Sequence, residues 1–140
     1  MYYFLQKFHS GWAYLVLLIL LIVIISSVVG FVSKKEFTAT NRKLALFGLI
    51  SAHIQLLIGL VLWVVSPLGK AALNDISNSA TRLTALEHPL INIVAIVLIT
   101  IGWSKHKNIA SAVSIHKNFA IFYGLALILI LSRIPWNLWL

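Results

Sequence analysis

The sequence predicts an all-α integral membrane protein, folded as an up-down bundle of four helices. Of its 140 residues, 61% are hydrophobic and 10% are charged, whereas an average soluble domain has roughly 25% charged residues. Four apolar segments, at approximately 11–32, 44–65, 84–103 and 117–134, have or approach the ~20 residues that cross about 30 Å of hydrocarbon. Short connections make sequential helices antiparallel neighbours. We therefore expect one domain over residues 1–140, with any activity inside the bundle or at its rims.

The first two segments carry recognisable boundary signals. Aromatic residues such as Trp12 and Tyr14 predict an interfacial belt at the start of the first segment. We expect this segment to be a retained helix, because no small-residue cleavage site flanks it. The second segment is expected to begin after Thr40 or Asn41 as the N-cap, and to end before Pro67, which disfavours further helix.

Two starts are open for the third segment. Thr84-Ala-Leu-Glu87 has the spacing of a capping box, in which Thr84 is the N-cap and the Glu87 side chain bonds back to its backbone. Alternatively, His88 is the boundary residue and Pro89 takes the first helical position. The first reading, which we favour, makes Glu87 structural. The second leaves Glu87 free to bind a ligand or to move protons.

The distribution of charged residues predicts which side of the membrane each connection faces. Two of the three connections together carry a net charge of +6, from Lys34, Lys35, Arg42, Lys43, Lys105, Lys107 and Lys117 against Glu36. The opposite ends of the segments carry +2, from Lys7, Lys70, Arg82 and Arg133 against Asp75 and Glu87. The positive-inside rule then places both termini outside the cytoplasm. The basic residues flank apolar segments, so the net charge of +8 indicates a lipid bilayer as the partner and not nucleic acid.

The composition excludes several kinds of functional site. The sequence has no cysteine, which excludes thiolate ligands and covalent haem attachment. No phosphate loop, nucleophile triad or paired carboxylates appear, so no catalytic residue is predicted. A metal or haem would need nitrogen or oxygen ligands. Of the five histidines, His106 and His116 flank a basic turn and are expected to be solvated or to face lipid headgroups.

The other three histidines are the candidates for a cofactor. At about 1.5 Å per residue, His88 and His9 could share one depth near the outer face, and His53 lies roughly 10 Å deeper. Two imidazoles on one haem iron could therefore be His9 with His88 or His53 with His88, and the sequence leaves both pairs open. Arg82 and Arg133 near the same rim could bind the haem propionates through charge-assisted hydrogen bonds.

Several motifs carry a resemblance that runs over nearly the whole chain. They are His9-Ser-Gly-Trp12, Ala52-His-Ile-Gln-Leu-Leu-Ile-Gly59, Arg82 with Glu87-His-Pro89, Ile99-Thr-Ile-Gly102 and Arg133-Ile-Pro-Trp136. With them the chain resembles small four-helix membrane proteins of Bacteroidetes that are labelled cytochrome b-like. It is similar, more loosely, to the half-bundles of haem A synthases and to b561-type cytochromes. The resemblance implies binding of haem b through His9, His53 or His88, and a place in respiratory electron transfer or oxidase assembly.

Three hypotheses for the function follow. The leading one is a b-type haem protein of the bacterial inner membrane, a redox protein that exchanges electrons with a quinone or a partner subunit. The alternative is a non-enzymatic accessory or assembly subunit of a larger respiratory membrane complex. The third is a small transporter or proton-relay protein that uses His53, Gln55 and Glu87.

Overall fold

The computed structural model describes residues 1–139, and these contain helices and connections but no strand. Four helical stretches in this part of the chain are long and apolar enough to cross a membrane: α1 (Tyr2–Val32), α2 (Ala39–Val65), Ser79–His106 and α5 (Ala112–Ser132). The third stretch joins α3 (Ser79–Arg82), a π-turn (Leu83–Glu87) and α4 (His88–His106). A 3-10 helix (Lys70–Asp75) precedes α3, and a short helix, α6 (Trp136–Trp139), follows α5. The predicted all-helical membrane protein with four spanning segments is confirmed.

The four long helices pack in a ring. Helix α1 contacts α2 and α5, and α4 contacts the same two helices from the other side. His9 near the start of α1 approaches His88 at the start of α4, and Gly30 near the end of α1 lies against His116 near the start of α5. Sequential helices are therefore antiparallel. We call the end that carries Met1 and Arg133 the termini end, and the opposite end the basic end.

The helices extend beyond the predicted apolar segments because their interfacial residues are also helical. Helix α1 begins at Tyr2 and not near residue 11. Helix α2 begins at Ala39, where Thr38 Oγ1 accepts a hydrogen bond from the Asn41 backbone N–H at 3.2 Å and Asn41 Oδ1 accepts one from the Thr38 N–H at 2.9 Å. The prediction of Thr40 or Asn41 as the N-cap was wrong. Helix α5 covers residues 112–132, compared with the predicted 117–134.

The middle of the bundle is filled by Tyr123, Phe119, Leu20 and Ile99, none of which has measurable exposure to solvent. The Tyr123 hydroxyl donates a hydrogen bond to the Ala45 carbonyl of α2 at 2.8 Å. This buried hydroxyl is therefore satisfied across the ring by a helix that is not its sequence neighbour. The buried side chains lie inside the bundle. Many aliphatic side chains of α1 and α2 face outward, as expected for helices that contact lipid.

An aromatic cluster closes the basic end, and we define it as Phe37, Trp103, His106, His116 and Phe119. Phe37, from the connection between α1 and α2, stacks on Phe119 at 5.5 Å and contacts His116 at 5.3 Å between ring centroids. His106 and His116 are only 6% and 1% exposed. The prediction that these histidines are solvated or face headgroups was wrong, because Phe37 folds back over them and the flanking lysines gave no sign of this contact.

Substituting Gly30 with alanine is expected to destabilise the basic end. A Cβ atom at residue 30 would overlap the His116 ring, and overpacking of this kind typically costs about 1–3 kcal/mol. Gly124 in α5 is a matched control, since a Cβ there would meet no atom within 4 Å in the described part of the chain. Thermal unfolding in detergent, followed by circular dichroism, should show a lower Tm for Gly30→Ala than for Gly124→Ala. Equal Tm values would contradict the close contact of Gly30 with His116.

Candidate cofactor site

A cavity of about 190 Å³ lies at the termini end, between α1, α2, α4 and α5. Most of its wall is apolar, and its polar groups include His9, His88, Gln55 and Asn92. Exposed residues such as Leu60 and Leu138 also line it, so the cavity reaches the protein surface. A ligand larger than this volume would have to extend through that opening. An apolar cleft with a few convergent polar groups is the usual form of a ligand site.

His9 and His88 face each other across this cavity. Their ring centroids are 6.2 Å apart and their planes are inclined at 84°. Two imidazoles that each bind one metal ion at about 2 Å have centroids roughly 6 Å apart. The two side chains come from different helices, α1 and α4. Of the two histidine pairs that the sequence leaves open, the structure brings together His9 and His88.

The His88 ring is oriented by the C-terminal end of α5. Its Nδ1 lies 2.8 Å from the Arg133 carbonyl oxygen. A carbonyl can only accept, so Nδ1 carries the proton, and Nε2 keeps the lone pair that a metal needs. Asn92 Nδ2 donates to the His88 carbonyl at 2.7 Å. Its 3.2 Å approach to Nδ1 is then a contact between two donors and not a hydrogen bond. Partners of this kind commonly orient metal-binding histidines.

His9 is positioned by α2. The Gln55 side chain donates from Nε2 to the His9 carbonyl oxygen at 2.9 Å. Gly59 leaves room for the ring, since a Cβ atom there would lie 3.0 Å from His9 Cε1. Two buried polar atoms in this wall, His9 Nδ1 and Gln55 Oε1, have no hydrogen-bond partner within residues 1–139. A buried group left in this state costs about 1–3 kcal/mol, which a bound polar ligand would recover.

An ionic cluster, Arg82, Glu87 and Arg133, lies at the same end. Glu87 Oε1 is 2.9 Å from Arg82 Nε, and Glu87 Oε2 is 3.3 Å from Arg133 Nε. The Thr84 hydroxyl donates to the Thr81 carbonyl at 3.2 Å and does not cap the start of a helix. The predicted capping box was wrong, because Glu87 is held by two guanidinium groups. The cluster keeps a net charge of +1 and several unused N–H donors, which suit an anionic group.

The π-turn and Trp63 together accommodate Pro89. Proline has no N–H, so Pro89 cannot donate to the carbonyl four residues earlier, that of Ala85. The indole of Trp63 in α2 supplies the missing donor, with Nε1 2.8 Å from the Ala85 oxygen. The His88 N–H bonds to the Leu83 carbonyl, five residues back. The helix is therefore continuous from Ser79, capped by the side chain of Asn78, and does not begin at residue 84 as predicted.

Replacing Trp63 with phenylalanine is expected to destabilise the protein by about 1–3 kcal/mol, because the Ala85 carbonyl loses its donor while the aromatic packing largely remains. Trp136 is the control, since it is 41% exposed and Trp136→Phe should leave stability unchanged. Chemical unfolding in mixed micelles would measure both. If Trp63→Phe is as stable as the wild-type protein, the indole is not required to satisfy this carbonyl.

His53 lies outside the cavity. Its Nδ1 is 2.7 Å from the Leu49 carbonyl, one turn earlier in α2, and its Nε2 is 3.4 Å from the Thr100 hydroxyl of α4. Its Nδ1 therefore donates within its own helix, and its Nε2 lies near α4, where the Thr100 hydroxyl donates its proton to the Ile96 carbonyl at 2.8 Å. The roles of Trp63 and of the Arg133 carbonyl were not predicted from the sequence. Pro89 was the available signal, because a proline inside a helix requires another donor for the carbonyl that it leaves unpaired.

Residues 1–139 contain no cluster of three or more His, Asp or Glu side chains arranged to hold a metal ion. Comparisons of the chain with protein-family models, with curated proteins and with solved structures found no match. The site is therefore described by its own geometry: a surface-accessible apolar cavity in a four-helix membrane bundle, with two facing imidazoles and a cationic cluster beside it.

Proposed function

We propose that the protein is a b-type haem protein of the bacterial inner membrane that takes part in respiratory electron transfer. The observation that carries the proposal is the 6.2 Å separation of the His9 and His88 ring centroids across a cavity that both residues line. Haem is the group that suits two imidazoles in an apolar, cysteine-free bundle.

The residues present fit this group in their chemistry. His88 has its Nδ1 bonded to a carbonyl, so its Nε2 is the atom available to iron. His9 would be the second histidine that holds the haem. Arg82 and Arg133 would hold the propionates, since their shared partner Glu87 neutralises only one of the two charges. The apolar wall would limit water around a bound haem, and a dry environment of this kind raises a reduction potential.

When bound, haem supplies one-electron exchange between the ferric and ferrous states. This chain's part is to present two imidazoles, to fix the His88 tautomer through the Arg133 carbonyl, and to exclude water with the apolar side chains of the cavity. The cavity opens at Leu60 and Leu138 on the bundle surface. A membrane-dissolved quinone or a partner subunit could approach the site by this opening.

The topology that accompanies this proposal places the termini end on the non-cytoplasmic side. The connections at the basic end carry a net +6, compared with +2 at the termini end, and the excess of lysine and arginine marks the cytoplasmic side. The haem would then lie near the outer face of the membrane.

The direct test is an absorption spectrum of the protein purified from cells supplied with haem, recorded oxidised and then reduced with dithionite. We expect a Soret band, with sharp α and β bands on reduction, and a pyridine haemochrome assay that returns about one haem b per chain. A correctly folded protein that is colourless, and that does not take up added haemin, would overturn the proposal.

A further inference from the structure

The basic end carries a concentration of unpaired positive charge. Seven lysines and arginines lie there against a single acid, Glu36. Both ion pairs found within residues 1–139 involve Glu87 at the opposite end. None of the seven cations therefore has a carboxylate partner in the described structure.

Two of these cations are brought to one indole ring. The guanidinium carbon of Arg42, in the first turn of α2, lies 5.6 Å from the ring centroid of Trp103, and the ammonium of Lys107, at the end of α4, lies at the same distance. A cation–π contact attracts each cation but carries no net negative charge. The two like charges remain uncompensated, and an anion that contacts both would remove their repulsion.

Trp103 is a fixed platform for such an anion. Its ring packs on His106 at 4.5 Å, and the His106 ring nitrogen Nδ1 bonds to the Trp103 carbonyl. His106 in turn packs on Phe119 at 5.0 Å. Arg42 and Lys107 are both exposed. The aromatic cluster therefore fixes the ring that both cations contact, and it leaves the cations accessible.

We propose that Arg42, Lys107 and Trp103 form a binding site for the headgroup of an anionic phospholipid. The site lies where α2 begins and α4 ends, and these are membrane-spanning segments, so it sits at the depth of the lipid phosphates. Phe47 and Ile101, one to two turns below it, are exposed and give the acyl chains an apolar surface. Basic pockets between membrane helices on the cytoplasmic side are suited to anionic headgroups. This site is independent of the histidine cavity and of any haem.

The test is a titration of the detergent-solubilised full chain with short-chain phosphatidylglycerol, read by native mass spectrometry, with phosphatidylcholine of the same chain length in parallel. We expect tighter binding of phosphatidylglycerol. The double variant Arg42→Gln/Lys107→Gln should weaken it roughly 25-fold, at about fivefold for each charge. Both residues are on the surface, so the variant should fold, and an unchanged Tm would verify this.

The matched control is Lys34→Gln/Lys117→Gln, which removes the same charge from the same end but leaves Trp103 and its two cations intact. We expect less than about a twofold change, since Arg42 and Lys107 are the cations that contact the Trp103 ring in the described structure and exposed charges elsewhere are screened by salt. Equal weakening by the two double variants would show diffuse attraction and overturn the proposal. So would equal binding of phosphatidylcholine, or displacement of the lipid by millimolar inorganic phosphate, which would identify a soluble phosphate as the ligand.

Discussion

Replacing His88 with alanine is expected to abolish the low-spin haem spectrum of the purified protein. In the proposed site His88 would supply one of the two imidazoles that hold the haem, and no other histidine within residues 1–139 lines the cavity except His9. With one imidazole left, a haem would be held by His9, by the arginines at its propionates and by apolar contacts, so it should be lost on purification or show a high-spin spectrum. Absorption spectra and haemochrome assays measure both outcomes.

Two companion variants and a rescue with imidazole make this result specific. His9→Ala should have the same effect as His88→Ala, because the two residues would act on one iron. His53→Ala should leave the spectrum unchanged, because His53 bonds to the Leu49 carbonyl and lies outside the cavity. Added imidazole should restore a six-coordinate spectrum to His88→Ala, since it can occupy the space left by the side chain. Loss of haem from His53→Ala, with retention in His9→Ala, would show that the deeper histidine is the ligand.

Introducing valine at Gly59 is expected to have the second largest effect. Even a single Cβ at this position lies 3.0 Å from His9 Cε1, so the two additional methyl groups of valine must displace the ring. Changes in the groups that orient a metal ligand typically cost 10–100-fold in affinity, and we expect a loss of haem affinity of about this size. Titration of the apoprotein with haemin, followed at the Soret band, would measure it.

The control for Gly59→Val is Gly124→Val, which adds the same atoms to α5 where a Cβ would meet nothing within 4 Å in the described part of the chain. Gly59→Ala should lie between wild type and Gly59→Val, because a shift of a few tenths of an ångström relieves one methyl group. If Gly59→Val binds haem as tightly as Gly124→Val does, then Gly59 does not position His9 and the proposed role of α2 in the site is wrong.

Hydropathy was enough to predict the four spanning helices, since each must bury an apolar length set by the membrane. It could not locate their ends, because interfacial residues such as Tyr2 and Ser79 are polar or aromatic and yet helical. The rise per residue placed His9 and His88 near one depth. It could not decide between His9 and His53, because that choice depends on how far each helix is rotated about its axis.

The basic end shows a second reason why the sequence could not predict some contacts. Flanking lysines led to the prediction of solvated histidines, but His116 is buried by Phe37, a residue about 80 positions earlier in the chain. The capping box failed for a similar reason. Glu87 has the spacing that a helix start requires, yet Arg133, from the far end of the chain, competes for the same carboxylate. A sequence pattern within one segment cannot predict contacts with residues that the fold brings in from another segment.

The π-turn also changes which residues of its helix can form pairs. In a regular α-helix, side chains three or four positions apart are neighbours, and those five apart lie on different faces. Arg82 and Glu87 are five apart, and their ion pair at 2.9 Å spans the turn Leu83–Glu87. One additional residue per turn thus brings an i, i+5 pair into alignment. Deleting one residue between them would restore α-helical winding and leave the pair four positions apart, where the two side chains are again neighbours. The π-turn therefore accommodates one additional residue without separating Arg82 from Glu87.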